Sequence, residues 1–160
     1  MPTILFVCSV NRFRSVIAEG QFRQLLISTQ AQGNWIVGSA GTWAQNGLPP
    51  VSQALRVGKT RGLEFGAIRS REVNLPLLES ANLIIPMTRG QMEALCLDFP
   101  SIKNRIILFS EICDKQSYDV SDPMEDSAVT WEEVGNEICD LLISSVDRIC
   151  RKASQTKECA

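Results

Sequence analysis

The sequence predicts a doubly wound α/β domain, a four-stranded parallel sheet flanked by helices. Its 160 residues are about one domain's worth of chain. The composition, 44% hydrophobic and 21% charged, is that of a globular protein with a single core to bury. Short, continuous apolar runs alternate along the chain with stretches of helical spacing, the pattern of successive βαβ units.

The elements follow in order. Thr3-Ile4-Leu5-Phe6-Val7 is apolar without interruption, as in a strand buried on both faces of a parallel sheet. From Ser15 the spacing turns helical, with Ala18, Phe22, Leu25 and Leu26 on one face and Glu19, Arg23 and Gln24 elsewhere. A second strand reads Trp35-Ile36-Val37 and is expected to end in Gly38-Ser39-Ala40-Gly41. Gly47-Leu48-Pro49-Pro50 is a loop, and residues 51–60 suit a helix closing near Gly62. Leu83-Ile84-Ile85 is the third strand, and Thr88-Arg89-Gly90-Gln91 is a capping box opening a helix through Leu95. Arg105-Ile106-Ile107-Leu108 reads as the fourth strand. Residues 114–127 form a polar stretch long enough to suggest a functional loop. Thr130-Trp131-Glu132-Glu133 is a second capping box, and Val134, Ile138, Leu141, Leu142 and Ile149 make the apolar stripe of a final helix. One domain is expected over residues 1–152, with 153–160 a polar, disordered tail.

Composition excludes much chemistry. There is no histidine, so Ser-His-Asp and Cys-His nucleophiles, His-ligated zinc and histidine bases are all out. Sixteen Lys and Arg against eighteen Asp and Glu give no bulk basic footprint for nucleic acid. No run approaches the roughly 18 apolar residues of a membrane span, and the N-terminus lacks the basic region of a signal peptide. None of the six cysteines stands in a C-x-x-C pair. A cytoplasmic domain with neither membrane nor nucleic-acid partner is expected, its oligomeric state open.

In a doubly wound sheet the ligand site lies beyond the carboxyl ends of the strands. The first strand ends at Cys8, and Cys8-Ser9-Val10-Asn11-Arg12-Phe13-Arg14-Ser15 follows, a C-x5-R-S segment running into a helix. Five intervening residues can curl so that successive backbone N–H groups face one point, an anion-binding nest. The helix start adds its positive end, and the Arg14 guanidinium offers a bidentate fork for two phosphate oxygens. The same field favours thiolate over thiol, setting a nucleophile beneath a bound tetrahedral anion. A lone C-x5-R also arises by chance around an ordinary core cysteine; its place between a buried strand and a helix start favours the functional reading.

Cleaving a phosphate ester also requires a proton for the leaving oxygen, and without histidine a carboxylic acid is the natural donor. The polar stretch contains Asp119-Val120-Ser121-Asp122-Pro123, where the proline biases Asp122 toward an extended conformation. Alone, an Asp-Pro pair is more often a surface turn.

Together these residues resemble the low-molecular-weight protein tyrosine phosphatases, over nearly the whole chain. The resemblance rests on Ile4-Leu5-Phe6-Val7-Cys8, Asn11, Arg14-Ser15, Ala18-Glu19, Ser39-Ala40-Gly41-Thr42, Pro49-Pro50, Leu83-Ile84-Ile85 with Met87, and the late Asp119 to Pro123 segment. It implies that Cys8 is the nucleophile that becomes a phosphocysteine and that Arg14 binds the phosphoryl oxygens. Asp122 would be the general acid, then the base that activates water. Ser9, Val10, Asn11, Arg12, Phe13 and Ser15 would complete the phosphate loop, with Asn11, Ser15 and Ser39 as its supporting network. It implies neither metal nor organic cofactor. The substrate would be a phosphorylated protein, phosphotyrosine first, or a small phosphomonoester.

The departures are specific. Val10 replaces the family's usual small residue, which would strain the loop if that position required positive φ. Phe13 replaces a second loop cysteine, removing a protective disulfide, and Val16 replaces a proline. Arg12 adds a positive charge beside the cradle. Met124 and Glu125 stand where aromatic residues often clamp the phosphotyrosine ring, and Trp43 is a candidate substitute wall or a partly buried loop residue. Two alternatives stay open: an arsenate reductase on the same fold, and a non-catalytic module that binds phosphate or a phosphoprotein.

Overall fold

The computed structural model describes residues 1–29 and 35–156. The most apolar run of the chain becomes the central strand, β1 (Thr3–Cys8). It pairs in parallel with β2 (Ile36–Gly41) on one side and β3 (Leu83–Pro86) on the other. The register sets Cys8 opposite Gly41 and Val7 opposite Pro86, so all three strands end around Cys8.

Strand alternation divides the core in two. Ile4, Phe6 and Cys8 face the larger cluster, with residues from α1 (Arg14–Ser28), α2 (Ser52–Arg61), α5 (Phe109–Asp114) and α6 (Trp131–Gln155). Leu5 and Val7 face the other, with Leu78 of α3 (Leu75–Ser80), Leu95 of α4 (Arg89–Asp98) and Ile102 of a 3-10 turn (Pro100–Arg105). Helices therefore cover both faces of the sheet, as the alternation of elements predicts. Both capping boxes form, Thr88 with Gln91 and Thr130 with Glu133, and α2 closes on Gly62 at a left-handed φ of 68°.

Four expectations are corrected. The fourth strand reduces to one parallel bridge between Ile84 and Ile106, with the Ile107 N–H donating to the Ile84 carbonyl at 3.0 Å. Arg105 closes the 3-10 turn and Phe109 opens α5, which leaves too few residues between them for a ladder. The second strand starts at Ile36 rather than at Trp35, and it ends at Gly41 as expected. Glu19, placed off the apolar stripe with Arg23 and Gln24, is buried while those two are exposed, because α1 packs against β2 as well as α6. Finally, α6 runs to Gln155, beyond the expected boundary at 152; Ala153, four residues after Ile149, extends the apolar stripe and is fully buried. Residues 157–160, including Cys159, lie outside the described residues. Among those described, no helix is long and apolar enough to cross a membrane.

Candidate active site

Cys8 closes β1 with its side chain 2% exposed, and the chain turns at once into the loop that precedes α1. Neighbouring backbone holds this loop. Thr42 N–H donates to the Cys8 carbonyl at 3.0 Å, Trp43 N–H to the Ser9 carbonyl at 2.8 Å, and Val51 N–H to the Arg12 carbonyl at 3.1 Å. Gly41 permits the close approach, since a Cβ there would sit 2.4 Å from the Ser9 carbonyl oxygen.

The left-handed turn of the loop falls on Asn11, at φ 56°, and not on Val10. The strain foreseen at Val10 is absent, because the residue that carries positive φ is one of the few non-glycine types that tolerate it. Asn11 is 1% exposed, and its side chain is spent holding the conformation. Its Nδ2 donates to Ser15 Oγ at 2.8 Å and to Ser39 Oγ at 2.9 Å, while its Oδ1 accepts from the Arg71 N–H at 3.0 Å.

These bonds fix where the hydroxyl protons point. Ser15 Oγ accepts from Asn11, so its own hydrogen is free to point at Cys8 Sγ, 3.0 Å away. The Asn11 backbone N–H also reaches the sulfur, at 3.3 Å. Ser39 likewise accepts from Asn11 and donates to Glu19 Oε2 at 2.5 Å. The expected network of Asn11, Ser15 and Ser39 is therefore assembled as one polarised system around the thiol.

Arg14, the first residue of α1, is 4% exposed, and its guanidinium reaches across to residues 120–122. One nitrogen donates to the Val120 carbonyl at 2.9 Å, the other to Asp122 Oδ2 at 3.1 Å. The loop bearing Asp122 is tied to the end of β3 by the Val120 N–H, which donates to the Met87 carbonyl at 3.0 Å. A cavity of about 320 Å³ opens here, lined among others by Ser9, Arg14, Gln91, Asp119, Asp122 and Glu125.

Of the three expected pocket walls, Glu125 lines this cavity, whereas Trp43 and Met124 are not among its lining residues. Trp43 is 85% exposed, which excludes the partly buried alternative. Arg12 turns to Pro49, donating from Nε to its carbonyl at 2.9 Å. Phe13 is 3% exposed and packs edge-on against Trp131, ring centres 4.9 Å apart, so it serves the core. Cys113 and Cys139 are buried, and burial pushes each thiol up to about 12.

Two contributors escaped the sequence reading. Gln91 accepts the Met87 and Thr88 N–H groups on Oε1, both at 3.0 Å, and donates from Nε2 to Ser9 Oγ at 3.0 Å. Its capping-box position was the available signal. Glu19 is 4% exposed and takes hydrogen bonds from Ser39 and Arg23. Burial raises its carboxyl above the usual range, against the opposing pull of Ser39, Arg23 and Arg71.

The chain as a whole is similar to known proteins. A family model described as low molecular weight phosphotyrosine protein phosphatase matches residues 3–155. The chain is 28% identical over 149 residues to a protein-arginine-phosphatase of Geobacillus stearothermophilus, covering 93% of this chain and 94% of that one. It is 28% identical over 154 residues to the low molecular weight protein-tyrosine-phosphatase YfkJ of Bacillus subtilis (strain 168), covering 92% and 97%. The crystal structure of a low molecular weight protein tyrosine phosphatase from T. tengcongensis matches with a TM-score of 0.82 at 26% identity, over 95% of this chain and 99% of that chain.

Proposed function

The chain belongs to the low molecular weight phosphotyrosine protein phosphatase family, the cysteine-dependent phosphatases, and we propose that Cys8, Arg14 and Asp122 carry its reaction. The observation that supports these roles is the Arg14 guanidinium, which spans from the cysteine loop to Asp122 across 108 positions of sequence.

A phosphomonoester entering the loop places two non-bridging oxygens on the Arg14 fork and its phosphorus over Cys8 Sγ. The thiolate attacks phosphorus, the S–P bond forms and the bond to the leaving oxygen breaks. Asp122, protonated, gives that oxygen its proton and is left as carboxylate. In the second step Asp122 takes a proton from water, the water oxygen attacks phosphorus, and the S–P bond breaks to return thiolate and inorganic phosphate. The Ser15 hydroxyl and the Asn11 N–H, both aimed at the sulfur, stabilise the thiolate before the first step and as leaving group in the second.

The proposed substrate is phosphotyrosine in protein. Trp43 supports it: its backbone N–H is fastened to the Ser9 carbonyl and its indole stands 85% exposed, so it offers a planar surface beside the loop. A second reading, phosphoarginine, is favoured by Glu125, whose carboxylate lines the cavity and could face a guanidinium leaving group. A working thiol nucleophile requires a reducing compartment, which supports a cytoplasmic location. Hydrolysis of a phosphotyrosine peptide and of its phosphoarginine counterpart, each with Cys8→Ser as control, tests the proposal. Turnover is expected with phosphotyrosine and none with the variant. Turnover surviving Cys8→Ser refutes the nucleophile, and preference for phosphoarginine replaces the substrate.

A further inference from the structure

The hydrogen-bond network that begins at Cys8 does not end in solid core. Its far members, Ser39 and Glu19, line a second cavity of about 280 Å³ together with Arg23, Arg69 and Arg71. Nothing in the phosphatase reaction uses this space.

Its charge is unbalanced. Three arginines and one glutamate line it, and both carboxyl oxygens of that glutamate are already taken, one by Ser39 and one by Arg23. Among the described residues, neither Arg69 nor Arg71 has a carboxylate within ion-pair distance. Two positive charges are left over.

The guanidiniums are also held in place. Arg23 donates to the Val37 carbonyl at 2.9 Å, Arg69 to the Ile68 carbonyl at 2.8 Å, and Arg71 Nε to the Ser39 carbonyl at 2.9 Å. Arg71 lies against β2 where Gly38 leaves room, one terminal nitrogen 2.6 Å from the place a Cβ would take. These anchors spend few of the five N–H donors on each guanidinium and set the direction of the rest. A concave site with oriented, unspent guanidinium donors suits a compact multi-oxygen dianion.

The cavity is coupled to the catalytic loop from two sides. The Arg71 N–H holds Asn11 Oδ1, and Ser39 Oγ holds Asn11 Nδ2. Asn11 carries the loop's left-handed turn and puts its own N–H on the Cys8 sulfur. We propose that this cavity is a second anion site, for a dianion of the phosphate class, and that its occupancy adjusts the phosphate loop through Asn11. The dianion is inorganic phosphate or the phosphate group of a small ester.

The test is a titration of the full chain, followed by amide NMR, with inorganic phosphate in one arm and glycerol 3-phosphate in the other. The expected result is two saturable events of different midpoint, one on amides of residues 9–14 and one on amides of residues 67–71. The arm that binds the second site more tightly identifies the source. Arg69→Gln, a change at an exposed residue outside the catalytic network, should weaken the second event by about tenfold or more, the loss of one charge-assisted pair, and leave the first in place. A single midpoint for both regions, or a second event indifferent to Arg69→Gln, overturns the proposal. If the variant fails to fold, the number of midpoints in the parent decides. Inhibition of p-nitrophenyl phosphate hydrolysis by phosphate gives an independent reading of the coupling: mixed in the parent and competitive in Arg69→Gln. Purely competitive inhibition in both refutes it.

Discussion

The two loops that meet at Arg14 are built by opposite means. The cysteine loop is largely buried and continuous with β1 and α1, and its conformation is held from three sides: by Asn11, by the backbone after β2 and by Gln91. The loop bearing Asp122 is a surface turn organised largely around its own aspartate. Asp122 Oδ1 accepts the Met124 N–H at 3.0 Å, and its carbonyl accepts the N–H groups of Glu125 and Asp126. Its ties to the rest of the protein are few: Val120 to Met87, Arg14, and the ion pair of Arg89 with Asp119. The phosphoryl group that reacts is common to all substrates, so its cradle gains from being fixed in advance. The leaving group varies, and Asp122, the acid in the proposed reaction, stands on a lightly tethered turn.

Substitutions can break or sharpen this contrast. The largest effect is expected from Asp122→Asn, which should slow turnover about 10²- to 10⁴-fold on substrates with poor leaving groups and far less on p-nitrophenyl phosphate. Equal losses across a leaving-group series would show that Asp122 acts on the cradle instead. Arg14→Lys should cost about 10²- to 10³-fold on every substrate alike, because an ammonium cannot reproduce the fork that serves both loops. Steady-state kinetics over the same series would show a dependence on leaving group if Arg14 acted mainly through Asp122.

A third variant probes the support beneath the cradle through pH. Burial raises the Glu19 carboxyl above its ordinary 4.5, so the folded state binds this proton at higher pH than the unfolded chain does. The stability it contributes is full below that ordinary value and is lost as pH rises through the folded value. Glu19→Gln removes the titration, so denaturation midpoints from about pH 4 to about pH 8 should shift in favour of the variant as pH rises. A pH-independent difference would show that Glu19 stays ionised throughout. The smallest effect is expected from Val10→Gly. With the left-handed turn on Asn11, glycine relieves no strain and adds unfolded-state freedom, so it should destabilise by about 1 kcal/mol or less without raising activity. A gain in activity would place strain at Val10 after all.

The sequence was most legible where interactions are local. C-x5-R-S, the two capping boxes and the last helix's stripe each join residues a few positions apart, and each lies in the structure where its spacing puts it. The catalytic assignments for Cys8, Arg14 and Asp122 came from spacing joined to a family resemblance, and they remain the part to be tested by mutation. Legibility failed where a neighbour distant in sequence decides the outcome. Periodicity put Glu19 off the apolar stripe, yet β2 packs beside it and supplies Ser39 to satisfy its carboxyl group. The apolar run at residues 105–108 has strand composition, but the 3-10 turn and α5 close in from either end and leave a single bridge.

By itself the sequence determined the class of fold and the place of Cys8 and Arg14 between the first strand and the first helix, because hydrophobic period and helix-start chemistry are properties of neighbouring residues. Only the tertiary structure decided that Asn11 and not Val10 takes the left-handed turn, that Gln91 clamps Ser9, and that Arg71 and Glu19 stand behind the loop beside an open basic cavity. Each of these depends on which backbone and side-chain groups meet across long stretches of chain, and a buried polar group takes whichever partner the packing brings within reach.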